Sequence, residues 1–80
     1  MKYVIVPHND MEVPIIFPDF APHTGFRNMN PMSAGQCRIT WDEKNQVIKY
    51  QAYGKSIGLS LVSRSEDAEI IKQAFEFEMK

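Results

Sequence analysis

A single cysteine, Cys37, stands in the eighty residues, which excludes an intramolecular disulfide and points to a reducing compartment. Long apolar runs are missing as well: no stretch approaches the roughly twenty residues that cross a bilayer, so no membrane partner is expected. The opening MKYVIVP carries one lysine, and its apolar run ends at Pro7, short of the apolar core of a secretory signal. A cytoplasmic protein is the expectation that follows. Charge of one sign is not in excess either. Nine Lys and Arg against ten Asp and Glu leave a net charge of −1, so no global field draws the chain to nucleic acid.

Catalytic signatures are equally scarce. Gly54-Lys55-Ser56 ends like a phosphate-binding loop, G-x-x-x-x-G-K-[ST], but Lys49 occupies the position that needs the first glycine. The residues after Ser56, IGLSL, have a strand pattern, so no helix N-terminus faces a phosphate there. His8, Asp10 and Glu12 alternate as three ligands on a strand would, but they fall in a turn-forming stretch with no second cluster to complete a site. No metal and no cofactor are expected. Cys37 with His8 or His23 has the makings of a nucleophile and base. Cys37 nevertheless falls on an inward strand position, where a neutral thiol behaves as a small hydrophobe. No serine sits in a G-x-S-x-G context. The chain does not read as an enzyme.

What is present argues for one folded domain over residues 1–80. Hydrophobic residues make up 44% and charged residues 24%, too apolar for disorder. A chain this short buries only about 60–65% of its unfolded surface, and association into a homodimer or higher oligomer is a common remedy.

KYVIV (2–6) is β-branched and aromatic on both sides and reads as a strand buried on both faces, stopped by Pro7. HNDM (8–11) is a turn cluster, and VPIIF (13–17) is a second extended piece that Pro14 confines to an edge. From 17 to 32 the prolines and Gly25 forbid long regular structure. Phe17, Phe20, Phe26, Met29 and Met32 lie in this segment; they either fold back as a plug over the core or form a partner surface.

The second half alternates apolar and polar residues in three stretches, 33–41, 46–53 and 56–62. With 42–45 as the first loop, Trp41 faces Gln46, Ile39 faces Ile48 and Cys37 faces Tyr50. With Gly54-Lys55 as a type II′ turn, Tyr53 pairs with Ser56, Tyr50 with Leu59 and Ile48 with Leu61. Both turns put the apolar side chains on one face, which predicts a three-stranded antiparallel meander over 34–62. SRSEDAEIIKQAFEFE then gives a helix over 65–78, capped by Ser63 with Glu66 or by Ser65 alone. Ala68, Ile71, Ala74 and Phe75 form its stripe, and Ile70 and Phe77 widen it beyond one contact. The predicted class is α+β: this meander and an N-terminal strand packed on one C-terminal helix, with Ile48, Tyr50, Leu59 and Leu61 beneath it.

On the outward face these registers place Gln36, Arg38, Thr40, Val47, Lys49, Gln51, Tyr53, Ser56, Gly58 and Ser60, with Arg38 opposite Lys49 and Gln36 opposite Gln51. The charges split by element, because residues 36–64 carry a surplus of three positive charges and residues 66–78 a surplus of four negative ones. A face with two cations, two amides and Tyr53 suits an acidic protein surface or a small anionic nucleotide, with Lys55 or Arg64 adding charge. The alternative is a solvated sheet face whose cations splay into water. Nucleic acid is disfavoured, since Tyr53 is the lone stacking platform.

At SAGQCRIT (33–40) and YGKSIGLSLVSRSEDAEII (53–71) the chain resembles small accessory proteins encoded by bacteriophages, which share a Ser-Ala-Gly strand opening, a Tyr-Gly-Lys-Ser hairpin and a Ser-Arg-x-Glu-Asp-Ala helix start. The resemblance covers the second half of the chain and brings no catalytic residues. It implies work in the infected cell's cytoplasm by stoichiometric binding: to a host protein, or, in defence evasion, to a signalling nucleotide held by a homo-oligomer. Arg38, Lys49, Gln36, Gln51, Tyr53, Lys55, Phe20, Phe26 and Met29 are the candidate binding residues.

Overall fold

The computed structural model describes residues 1–78. Strand β1 (Lys2–His8) turns through Asn9 and Asp10 into β2 (Met11–Phe17). Both turn residues have positive φ, 51° and 64°, which a two-residue type I′ hairpin demands and which Asn and Asp tolerate. β1 runs past Pro7, where the sequence predicted it to stop. Its other neighbour, β3 (Ser33–Asp42), pairs only with Lys2–Ile5, so Pro7 needs no amide on that side. β4 (Val47–Tyr53) completes an antiparallel sheet of order β2-β1-β3-β4.

Central β1 is buried on both faces, as its composition predicts, and it divides the core in two. Tyr3 and Ile5 join Cys37 and Ile71 on one face, under helix α1 (Asp67–Glu78). Val4 and Val6 join Phe17 and Ala34 on the other. That second face is roofed by a 3₁₀ segment, His23–Met29, and by residues 57–62, which bring in Phe26, Leu59 and Leu61. Burial of Val4, Ile5, Val6 and Ile71 contributes about 1.5–3 kcal/mol each.

The fold class is therefore α+β, an antiparallel sheet packed on one C-terminal helix, but the third strand of the meander is not there. Gly54 does adopt the positive φ expected of it, 81°. The chain leaves the sheet at that point instead of returning beside β4. Gly54 O accepts a bond from the Ser63 amide at 3.0 Å, and β5 (Lys55–Ser56) pairs with β6 (Leu61–Val62) in a separate ladder. Leu59 and Leu61 thus cover the face opposite Tyr50, not the helix face. The α-helix begins at Asp67 rather than 65: the Ile70 amide donates to Glu66 O at 3.1 Å, while residues 64–67 form a tighter turn, Asp67 N to Arg64 O at 3.1 Å. That turn is capped by the Asp67 carboxylate and not by a serine hydroxyl.

The β3–β4 register differs from the predicted one by two residues. Asp42 ends β3, Oδ1 accepts the Lys44 and Asn45 amides, and the loop is Glu43 to Gln46, with Gln46 at φ 53°. A shift of two keeps every side chain on its predicted face. It changes the neighbours: Arg38 faces Gln51, Lys49 faces Thr40 and Gln36 faces Tyr53, so the like-charged pair is avoided.

Gly35 sits where β3 passes under the end of β4, and a Cβ there would run into the carbonyl oxygen of Tyr53. A backbone atom cannot step aside as a flexible side chain would. Gly35→Ala is expected to cost about 1–3 kcal/mol in urea unfolding. Gly25→Ala, with open space around the new methyl, should stay within about 0.5 kcal/mol of the parent.

Candidate functional site

Helix α1 is fixed to the sheet by a carboxylate taken wholly out of water. Asp67 is 0% exposed, and its Oδ2 accepts the Tyr3 hydroxyl at 2.6 Å as well as the Arg64 amide. Arg64 Nε donates to Asp67 Oδ1 at 3.0 Å, and Arg64 Nη2 donates onward to Glu12 Oε1 on β2 at 2.6 Å. Residues 3, 12, 64 and 67 therefore tie β1, β2 and the start of α1 into one unit. Burial drives the Asp67 carboxyl upward, but the Arg64 amide, the Tyr3 hydroxyl and the guanidinium outweigh it and hold it below its ordinary value. Burial first, and then the bond to Asp67, hold the Tyr3 hydroxyl far above its own. No reactant reaches groups so enclosed; their work is positional.

What they position is a groove between β2 and α1. It is an open hollow of about 560 Å³ lined by Met11, Val13, Pro14, Ile70, Ala74 and Phe77. A smaller hollow of about 300 Å³ continues it toward Ile16 and Phe75. Met11 is 67% exposed and Phe77 77%, large apolar side chains left in water on the two banks. Glu12 lies on the β2 bank. Gln73, on the helix bank, is bonded to Glu69 at 3.2 Å, which puts a second carboxylate at the rim. None of these positions is among the candidate residues taken from the sequence. A signal existed: Ile70 and Phe77 are the residues that made the helix stripe too wide for one contact.

The predicted polar face exists in part. Gln36, Arg38, Thr40, Lys49, Gln51 and Tyr53 are all exposed and share the side of β3–β4 away from α1. Lys49 is held by Asp42 at 3.1 Å; Arg38 has no ion-pair partner among the described residues. Lys55, Ser56, Gly58 and Ser60 do not extend this face. Lys55 and Ser56 form β5, Ser56 is buried, and Gly58 and Ser60 belong to the turn that closes the small ladder. Arg64 is committed to Glu12 and Asp67 and adds no free charge.

The segment 17–32 divides. Phe17 is buried and Phe26 leans on it with ring centroids 4.6 Å apart, so Phe26 plugs the core. Phe20 is 88% exposed, and Met29 and Met32 are about half exposed. Buried His23, which the sequence did not mark as structural, donates from Nε2 to the Gly35 carbonyl at 2.9 Å and meets the edge of Phe17. It lies with Phe17 on one side of the sheet and Cys37 lies on the other, so the two form no nucleophile–base pair. His8 and Asp10 are exposed at the hairpin, and among the described residues no three His, Cys, Asp or Glu side chains converge as a metal site. No described helix is long and apolar enough to cross a membrane.

The titrations of Asp67 and Tyr3 set opposite limits on stability. Asp67 is depressed in the fold, so its contribution is present above the ordinary carboxylate range, near 4, and is lost as pH falls through the folded value. Tyr3 is raised, so the unfolded chain alone ionises as pH passes about 10, and stability falls on that side. Urea midpoints followed against pH should drop at both ends. Asp67→Asn should flatten the acid limb, whereas Asp42→Asn, at a solvent-screened turn, should leave most of it.

Compared with protein-family models, with curated proteins and with solved structures, the chain matches none.

Proposed function

We propose that this protein acts by stoichiometric binding to a partner protein, whose apolar segment lies in the groove between β2 and α1. The observation that carries the reading is the pair of exposed banks, Met11 and Phe77, held apart over Pro14, Ile70 and Ala74 by the Asp67 network. The Glu69 carboxylate beside the rim favours a segment with a basic residue flanking its apolar anchors. Binding of this kind needs no catalytic group. It agrees with the resemblance to phage accessory proteins, under which the partner is a host protein in the cytoplasm of the infected cell and the effect is inhibition.

A second reading rests on Arg38. Its guanidinium has no carboxylate partner among the described residues and stands among the Gln36 and Gln51 amides and the Tyr53 ring, a set that suits a small anionic nucleotide.

One set of variants separates the two. Affinity capture from host lysate should recover one protein in equimolar amount, and Met11→Asp or Phe77→Asp should abolish the capture while Arg38→Glu leaves it intact. Failure to recover any stoichiometric partner, or capture indifferent to both groove variants, overturns the first reading. A thermal shift with a cyclic dinucleotide that Arg38→Glu removes would support the second instead.

A further inference from the structure

The sheet has two edges, and they are not alike. β2 has Pro14 at its centre, which removes an amide donor, and it lies beside the groove and the helix. β4 has few of the usual guards. VIKYQAY contains no proline or glycine, pairs residue for residue with β3 without a bulge, and is rich in β-branched and aromatic side chains. Its one charge, Lys49, is neutralised by Asp42. The chain that the sequence pattern sends along this edge, residues 56–62, goes elsewhere, so among the described residues no strand pairs with the outer edge of β4.

The order of residues on β4 says what fits there. Along a strand the backbone groups of alternate residues point to opposite edges. Two copies of one strand can therefore pair antiparallel only in registers that set odd residues against odd and even against even. Among those, the register centred on Tyr50 uses all seven residues: Val47 meets Tyr53 of the second copy, Ile48 meets Ala52, Lys49 meets Gln51, and Tyr50 meets Tyr50. The register centred on Lys49 opposes two lysines, which is destabilising, and the one centred on Gln51 leaves Val47 and Ile48 unpaired. In the full register the helix-side row is wholly apolar and aromatic, Ile48, Tyr50 and Ala52. Phe75, packed edge-on to Tyr50 with centroids 5.8 Å apart and itself part exposed, lies beside the seam.

We infer that β4 is a self-pairing edge: two copies of this chain join antiparallel about a twofold axis at Tyr50 into one eight-stranded sheet. The two polar faces then become continuous. Arg38, Gln36 and Tyr53 of both copies share one surface, with Lys49 of each beside Gln51 of the other at the seam. This holds independently of what the groove binds.

Light scattering from low micromolar to submillimolar concentration should show a monomer–dimer equilibrium. Gln51→Glu places a carboxylate opposite Lys49 of the second copy and should tighten the dimer about tenfold, since the twofold counts the pair twice. Adding Lys49→Glu converts both contacts to like-charge pairs and should weaken it about tenfold relative to the parent. In a Cys37→Ala background, Lys49→Cys protein mixed with Gln51→Cys protein should give a disulfide-linked dimer on mild oxidation, and neither alone should. A chain that stays monomeric throughout, or a dimer indifferent to these charges and closed to the mixed cross-link, overturns the proposal.

Discussion

The bond between the Tyr3 hydroxyl and the Asp67 carboxylate joins residues 64 positions apart, on the central strand and at the start of the helix. A carboxylate removed from water is costly unless its lone pairs are satisfied and a countercharge is near. Here the Tyr3 hydroxyl, the Arg64 amide and the Arg64 guanidinium meet both needs at once. Because Arg64 also reaches Glu12, the same charge that stabilises Asp67 sets the distance from α1 to β2. The spacing of the groove banks follows from that chain of contacts more than from apolar packing, which is non-directional.

Around this clamp the sheet divides its duties. β1, apolar on both sides, feeds two separate cores, one under α1 and one under the 3₁₀ segment with residues 57–62. Neither cover extends over the whole of β3–β4. Trp41 is 60% exposed on the helix side, and the polar row from Gln36 to Thr40 is exposed on the other. A domain of this size has too little chain to roof both faces of a four-stranded sheet. The parts left bare are the groove, the polar face and the β4 edge.

Much of the fold was legible where local chemistry decides it. KYVIV predicts a doubly buried strand, Asn9-Asp10 a tight turn, and the 68–77 stripe a helix. The faces of β3 and β4 survived a register error because a slip of two preserves side-chain direction. At Gly54 local chemistry no longer decides the path of the chain. Positive φ is compatible both with a hairpin that returns in the sheet and with a bend that leaves it, and Leu59 and Leu61 have an apolar face to cover either way. The loop phenylalanines failed for a similar reason: nothing local distinguishes Phe26, which meets Phe17, from Phe20, which meets water. The clamp itself was not legible. SRSED offers serine caps as plausible as Asp67, and its partner Tyr3 is recognised only once the helix lies across β1.

The coupling between Tyr3 and Asp67 tests the central claim most directly. In a double-mutant cycle with Tyr3→Phe and Asp67→Asn, read by urea unfolding, the account predicts a coupling on the order of 1 kcal/mol or more. Single-variant costs that add to within about 0.5 kcal/mol would contradict it and leave the helix held by apolar packing alone.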